Sequence, residues 1–287
     1  MKTRSIEGFK MCLDPNDGGI SGVLMSKGSR EPCFMWILRR ETGGEIGIDI
    51  GGNIGYTTLP MCASMNRVIA FEPDARSRRL LEASISLNEF NEKTEIRDEA
   101  VSDRTGEISM FMDARPNLST IVGSGKKGST TTVKTITLDS MGVEPSFIKM
   151  DIEGGEVGAL NGGMECLKAT PKCKILIEVH PQYYNEGNNF RDVVEKLLGI
   201  GYGFKYVVSA AVPRPDLFIE HGYNPLEGAP IGRRAIYTDV AEKHALDWCS
   251  RSIKQIQPNG KTSPKIVRAI MLEKPYIRYI LNRRTGE

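Results

Sequence analysis

The chain has 287 residues, of which 40% are hydrophobic and 26% are charged, an ordinary globular composition that excludes wholesale disorder. Its 38 basic and 36 acidic residues leave a net charge of +2, so charge gives no general reason to expect a nucleic acid or an anionic membrane as partner. The 6 scattered cysteines and the lack of an apolar run of about 20 residues predict a cytoplasmic protein with reduced thiols and no membrane span.

Short β-rich runs alternate with helical patterns along the chain, which indicates an α/β fold with a parallel sheet and crossover helices. We predict strands over 46–50, 67–71, 94–101, 108–112, 133–138, 147–151, 174–179, 204–208 and 267–272. We predict helices over 56–64, 74–88, 156–168, 189–198 and 239–256.

A glycine-rich turn, DIGGNIG, follows the first of the parallel strands at 49–55. Its glycines, Gly51 and Gly55, and the intervening Asn53 let a ligand approach the backbone, as in nucleotide-binding turns. A dinucleotide would place its pyrophosphate here, whereas S-adenosylmethionine would place a sulfonium and an amino group, both positive. Because the carboxylate of Asp49 favours positive charge, the turn favours S-adenosylmethionine; the alternative is a tight turn with an incidental aspartate.

Acidic residues end the next two strands. Glu72 and Pro73 close the second strand, where a carboxylate can bind ribose hydroxyls of S-adenosylmethionine or of a nicotinamide cofactor. Glu99 and Ala100 close the third strand, where a carboxylate and backbone amides would reach an adenine ring. Two neighbouring acids compete with Glu99 for this role, Asp98 and Asp103. These strand ends predict a nucleoside site.

Two further pairs of polar residues end the fourth and fifth strands. Asp151 and Glu153 form the first pair, and Glu178 and His180 form the second. Residues two apart on a strand face the same side, so we expect both pairs to face the cleft above the sheet. A helix cap or a hydrogen-bonded strand end is the alternative for each of them singly.

A series of motifs extends in order through residues 45–180. They are DIGGNIGY (49–56), AFEPD (70–74), EAVSD (99–103), TLDS (137–140), FIKMDIEGGEVGALNGG (147–163) and ILIEVH (175–180). Together they resemble FkbM-type S-adenosylmethionine-dependent methyltransferases. The resemblance implies a class I Rossmann-like methyltransferase fold, α/β with a mostly parallel seven-stranded sheet and helices on both faces. It also implies that Tyr56 joins the cofactor site, and that a hydroxyl on a sugar, glycan, lipid or natural product is methylated.

Methyl transfer to a hydroxyl needs a base near the methyl group, and the candidates are Asp151, Glu153 and His180. Asp151 is also expected to contact the cofactor. A divalent metal is not expected, since no tight ligand spacing appears; its ligands would be Asp151, Glu153, Glu178 and His180.

Two other functions stay open. One is a Rossmann-type NAD-dependent oxidoreductase, against which the missing G-x-G-x-x-G counts. The other is a methyltransferase-like module that binds without catalysis. The expected acceptor is a small molecule or a glycan, and methylation of nucleic acid or protein is not expected.

One methyltransferase domain is predicted to span residues 1–287. Residues 1–44 would form a helical lead-in, 45–208 the cofactor-binding core, and 265–287 the last strand and a basic tail. The connection at 209–264 is about twice as long as a simple connection needs, which predicts a lid or a wall for the acceptor. A loop rich in Gly, Ser, Thr and Lys at 123–132 is predicted to be flexible.

Overall fold

The computed structural model describes residues 1–113, 119–120, 129–211, 214–251 and 265–274, except the side chains of 214–216. Residues 123–128 of the predicted loop and the basic tail lie outside the described residues. The last residues of that predicted loop, 129–132, are instead the start of a strand.

Thirteen strands are present among the described residues: β1 (Lys2–Ile6), β2 (Phe9–Leu13), β3 (Gly44–Ile50), β4 (Met65–Phe71), β5 (Thr94–Arg97), β6 (Ala100–Val101), β7 (Gly106–Met112), β8 (Ser129–Ile136), β9 (Phe147–Met150), β10 (Lys174–Glu178), β11 (Gly203–Ser209), β12 (Ile236–Tyr237) and β13 (Val267–Glu273). The α-helices in the same part of the chain are α1 (Ile20–Lys27), α2 (Pro32–Glu41), α3 (Thr58–Ser64), α4 (Ala75–Leu87), α5 (Glu156–Asn161), α6 (Met164–Ala169), α7 (Phe190–Gly199), α8 (Arg214–Glu220) and α9 (Glu242–Ser250).

Eight of the strands form the central sheet, in the order β12-β11-β13-β10-β9-β3-β4-β5. The five strands from β10 to β5 are parallel, whereas β13 pairs antiparallel with both β10 and β11. The seven strands from β11 to β5 are the mostly parallel sheet expected from the sequence, and the two-residue strand β12 extends its edge. The fold is therefore a class I Rossmann-like methyltransferase fold.

Alternating side chains of the sheet enter two separate cores. Ile48 and Ile50 face a core shared with α5, α7, α8 and α9, whereas Val68 and Ala70 face a core shared with α1, α2, α3 and α4. Because successive side chains of a strand point to opposite faces, the two cores lie on opposite sides of the sheet. The predicted helices on both faces are confirmed.

The lead-in is not wholly helical as predicted. It begins with an antiparallel hairpin, β1 and β2, in which Ile6 pairs with Phe9. The two turn residues, Glu7 and Gly8, have φ angles of 49° and 94°, as a type I′ hairpin turn requires. Helices α1 and α2 then lead into β3.

Two predicted elements are divided in the structure. The strand predicted at 94–101 ends at Arg97, and β6 joins a separate three-stranded sheet with β8 and β7. The helix predicted at 156–168 is interrupted at Gly162 and Gly163. A Cβ at Gly162 would clash with the carbonyl oxygen of Ser102, so the close backbone contact at this break requires glycine.

Within the described residues of the long connection after β11, several large side chains add to the core. Phe218, Tyr237 and Trp248 are buried in the core that contains α5 and α7. The rings of Phe218 and Tyr237 are stacked with centroids 4.2 Å apart. The role of 209–264 as a lid or acceptor wall stays a prediction, as does the domain division.

No helix in the described part of the chain combines the length and the apolar character that a bilayer crossing requires.

Candidate active site

A buried ion pair lies directly below the glycine turn. Asp49 and Lys149 are opposite each other in the parallel pairing of β3 with β9, and Lys149 Nζ lies 2.9 Å from Asp49 Oδ1. Neither side chain is more than 2% exposed. The hydroxyls of Thr57 and Thr58 donate to Asp49 Oδ2 at 2.9 and 2.7 Å. Lys149 Nζ also donates to the carbonyl oxygen of Gly51 at 2.6 Å, so the ion pair fixes the turn.

The charge of this pair is balanced internally. Burial alone would lower the pKa of Lys149, but the carboxylates of Asp49 and Asp151 outweigh it and hold that pKa above its ordinary value. The protonated lysine neutralises Asp49, whose carboxylate does not reach the cavity above the turn. This placement gives Asp49 a positioning role below the turn, and the direct cofactor contact predicted for it stays a prediction.

The glycine turn comes very close to the end of β9. Gly51 has φ +83°, and a Cβ there would lie 2.2 Å from the carbonyl oxygen of Asp151. The position therefore tolerates only glycine. Gly55, with φ +96°, faces Leu81 of α4, to which a Cβ would come within 3.1 Å. Gly55 thus shapes the turn and does not line the cavity, and its predicted role in cofactor binding stays a prediction.

A cavity that is open to solvent lies at the carboxyl ends of β3, β4, β9 and β10. The predicted cofactor residues that line it are Gly51, Asn53, Tyr56, Glu72, Pro73, Glu99, Ala100 and Asp151. Of the predicted catalytic and metal residues, Glu153 and Glu178 also line it, whereas His180 does not.

Glu72 is held in a fixed position at the end of β4. The backbone N–H of Asn53 donates to its Oε2 at 2.7 Å, and that of Asp74 donates to its Oε1 at 2.8 Å. Burial raises the pKa of Glu72 to about 7, although these two hydrogen bonds lower it. Each carboxylate oxygen accepts one hydrogen bond from the protein and keeps a further lone pair for a ligand.

Two other cavity residues are held by arginines that the sequence analysis did not single out. Arg97 Nη2 lies 2.6 Å from Glu99 Oε1 and lowers the pKa of Glu99. The hydroxyl of Tyr56 donates to the carbonyl oxygen of Arg30 and accepts from its N–H, both at 2.9 Å. Tyr56 therefore ties the N-terminal lead-in to the edge of the cavity.

His180 lies beneath the cavity in a buried group of carboxylates. Its Nδ1 is 2.8 Å from Glu156 Oε1, and its Nε2 is 3.2 Å from Glu178 Oε1, 3.5 Å from Glu153 Oε1 and 3.7 Å from Asp151 Oδ1. Burial and Lys265 lower the pKa of His180, but Glu156 and Glu178 outweigh them and raise it to about 10.

The imidazole of His180 is thus already protonated at neutral pH. A protonated imidazole cannot accept a proton, and the side chain is only 2% exposed. The burial of His180 makes it less suited than a cavity residue to act as the base, and its catalytic role stays a prediction. Local sequence does not predict this environment, because Glu156 lies 24 residues from His180.

Glu153 is better placed to accept a proton. It lines the cavity, and its side chain is 16% exposed. Burial raises its pKa to about 7, with His180 lowering that pKa and Asp151 raising it. The residue adopts a left-handed backbone conformation, with φ +47°, which is uncommon outside glycine and is typical of functional positions.

One set of ligand atoms has the spacing of a metal site. Oxygen or nitrogen atoms of Asp151, Glu178 and His180 all lie within 4.8 Å of one another. Glu178, however, already contacts Lys265 and Arg268, which together with His180 outweigh burial and hold its pKa well below its ordinary value. A divalent cation would have to compete with these positive groups. The expectation that no metal is used stays a prediction.

Comparison with known proteins identifies the family. The family model described as the methyltransferase FkbM domain matches residues 49–206, more than half of the chain. The chain belongs to the FkbM methyltransferase family. A search of curated protein sequences gives no match.

Solved structures similar to this FkbM-family chain have low sequence identity. An FkbM methyltransferase from Methylobacillus flagellatus KT is 20% identical over 56% of this chain, with a TM-score of 0.41. The chain covers 40% of that protein's length. A putative methyltransferase from Streptococcus mutans, solved in complex with SAH (S-adenosylhomocysteine), is 11% identical, with a TM-score of 0.41; the match covers 86% of this chain and 99% of that one.

We expect Asp49→Asn to destabilise the protein by about 3–5 kcal/mol, because it leaves the Lys149 ammonium buried without its counter-ion. Adding Lys149→Met should restore most of the lost stability, since neither position then carries a buried charge. Urea unfolding monitored by circular dichroism measures both variants. Arg67→Gln, which breaks an exposed ion pair with Glu95, is the control and should cost less than about 1 kcal/mol. A double variant as unstable as Asp49→Asn alone would contradict this view of the pair.

Proposed function

We propose that this FkbM-family protein is an S-adenosylmethionine-dependent O-methyltransferase that acts on a hydroxyl of a small molecule or glycan. The observation that carries the proposal is the position of Asp151. Its carboxylate lines the cavity beside the glycine turn, where Gly51 leaves no room for a side chain. A negative charge there favours a sulfonium and an amino group, and it disfavours a pyrophosphate.

Asp49 is neutralised by Lys149 and does not line the cavity, so the electrostatic preference for a positive ligand rests on Asp151 and Glu153, which line the cavity at the end of β9. The same preference counts against a nicotinamide dinucleotide. Glu72 does not distinguish the two cofactors, since either has a ribose.

The remaining lining residues suit the other parts of S-adenosylmethionine. Glu72, fixed by two backbone N–H groups, would accept hydrogen bonds from the ribose hydroxyls. Glu99 and Ala100, at the neighbouring strand end, would bind the adenine. When bound, S-adenosylmethionine supplies an electrophilic methyl group on a positively charged sulfur.

The chain's own contribution to the reaction is positioning and proton removal. Holding an acceptor oxygen in line with the methyl group supplies much of the rate of such a displacement. We assign the base to Glu153, because its carboxyl lines the cavity with a pKa near neutrality. The buried, protonated His180 would stabilise the carboxylate form of Glu153 from below, at 3.5 Å. Asp151 would remain beside the positive sulfur.

Isothermal titration calorimetry tests the cofactor. We expect the wild-type protein to bind S-adenosylmethionine and S-adenosylhomocysteine, and not NADH. Glu72→Gln should weaken S-adenosylhomocysteine at least tenfold, because it removes the charged acceptor for ribose hydroxyls. Glu92→Gln, on an exposed residue, should leave the affinity within twofold. Binding of NADH without S-adenosylmethionine would contradict the proposal in favour of an oxidoreductase.

The pH dependence of turnover tests the base. Glu153 is active as its carboxylate and has a pKa near 7, so we expect the rate to rise with pH through about 7 and then to level off. Glu153→Gln should abolish this rise of the rate with pH and lower the rate about 10²–10⁴-fold, with the affinity for S-adenosylmethionine within threefold of wild type. Transfer of a tritiated methyl group to a hydroxyl acceptor, followed over a range of pH, measures the rate and its pH dependence. Glu165→Gln, on an exposed helix residue, is the control. A variant that keeps the wild-type rate and its rise with pH would rule out Glu153 as the base.

A further inference from the structure

Three arginines from distant parts of the chain converge on one carboxylate at the edge of the cavity. They are Arg30, which precedes α2, Arg234, which precedes β12, and Arg268 on β13; we call them the arginine cluster. Arg268 Nη2 lies 3.1 Å from Glu31 Oε1, Arg30 Nε lies 3.6 Å from the same oxygen, and Arg234 contacts Glu31 Oε2. The fold thus brings together three guanidinium groups around one acid.

Positive charge exceeds negative charge in this part of the site. Arg268 also contacts Glu178, which in turn contacts Lys265. Around Glu31, three guanidinium groups share one carboxylate, and one of the three, Arg268, also has Glu178 as a partner. The repulsion is reflected in Arg234, whose pKa is lowered to about 10 by burial, by Arg268 and by Arg30.

The cluster also has unused hydrogen-bonding capacity. The Nε atom of Arg268 is buried and has no hydrogen-bond partner among the residues that the structure describes. Arg30 and Arg234 are about a quarter exposed, at 26% and 25% of their side chains. A ligand that carried oxyanion oxygens would satisfy these donors and reduce the repulsion between the guanidinium groups.

The order of the strands places the cluster at one end of the cavity. From β5 to β13 the sheet presents Glu99 and Glu72 first, then the glycine turn and Asp151, then Glu178 and Arg268. Arg30 and Glu31 line the cavity at this last end, whereas Arg234 and Arg268 do not line it and join the cluster through their contacts with Glu31. If the nucleoside lies at Glu72 and the reacting methyl at Asp151, the cluster lies beyond the methyl, on the side where the acceptor binds.

We propose that the acceptor carries an anionic group, a carboxylate or a phosphate ester, which the arginine cluster binds while a hydroxyl of the same molecule faces Glu153. This inference rests on the proposed function, which assigns the Glu72 end of the cavity to the cofactor. Guanidinium groups bind carboxylate and phosphate through paired hydrogen bonds, and this geometry makes the cluster a specificity element. Glu31 holds the arginines in position and is the internal carboxylate with which the anion competes.

The test is calorimetry at low ionic strength with the protein saturated by S-adenosylhomocysteine, using glucuronate, glucose 6-phosphate and glucose as probes. We expect the two anions to bind at least tenfold more tightly than glucose. Arg30→Gln and Arg234→Gln should each reduce anion affinity at least tenfold and keep the affinity for S-adenosylhomocysteine within threefold. Arg67→Gln removes an exposed arginine elsewhere and is the matched control, with anion affinity within twofold of wild type. Arg30 is partly exposed and paired at only 3.6 Å, so its variant keeps the test independent of folding.

Several results would overturn the inference. The first is anions that bind wild type no better than glucose, and the second is arginine variants that keep the anion affinity. The third concerns the carboxylate of the cofactor itself, which 5′-methylthioadenosine lacks. If both variants weaken the binding of S-adenosylhomocysteine tenfold but leave that of 5′-methylthioadenosine unchanged, the cluster binds the cofactor instead. If wild type binds the anions through the cluster but neither S-adenosylmethionine nor S-adenosylhomocysteine, the proposed function fails and the anion site stands.

Discussion

The site depends on the buried ion pair between Asp49 and Lys149. Both charges lie in the middle of the sheet, and an unpaired charge there would be too costly for a stable fold. Their pairing joins β3 to β9, and the lysine also holds the carbonyl oxygen of Gly51. The glycine turn is thereby fixed against the end of β9, so Asp151 lies beside Gly51, where the backbone carries no side chain.

From this arrangement follows a separation of charge along the cavity. Asp151 and Glu153 at the centre would favour a positive sulfur, and the arginine cluster lies around Glu31 at the far end. His180 belongs to the structure that supports the centre. Its buried positive charge balances the carboxylates around it, so that several acids can stay close together and Glu153 keeps a pKa near neutrality.

Local sequence patterns predicted much of the fold. The alternation of strands and helices predicted the mostly parallel sheet, and the glycine turn and the acids at strand ends predicted ten of the residues that line the cavity. Which charged residues pair with each other was not predictable, because the pairs join residues far apart in sequence, such as Glu31 with Arg268 or His180 with Glu156. The ion pair of Lys149 is the exception, because a lysine within the apolar strand FIKM needs a counter-ion when it is buried. The pairing of β3 with β9 places Asp49 opposite it.

A role for Asp151 in binding the positive sulfur of the cofactor is tested by comparing S-adenosylmethionine with S-adenosylhomocysteine, which lacks that charge. Calorimetry gives the dissociation constants of both ligands for wild type and for Asp151→Asn. We expect Asp151→Asn to weaken the binding of S-adenosylmethionine at least tenfold and to change that of S-adenosylhomocysteine by less than threefold. Equal weakening of both ligands, or no effect on either, would contradict it.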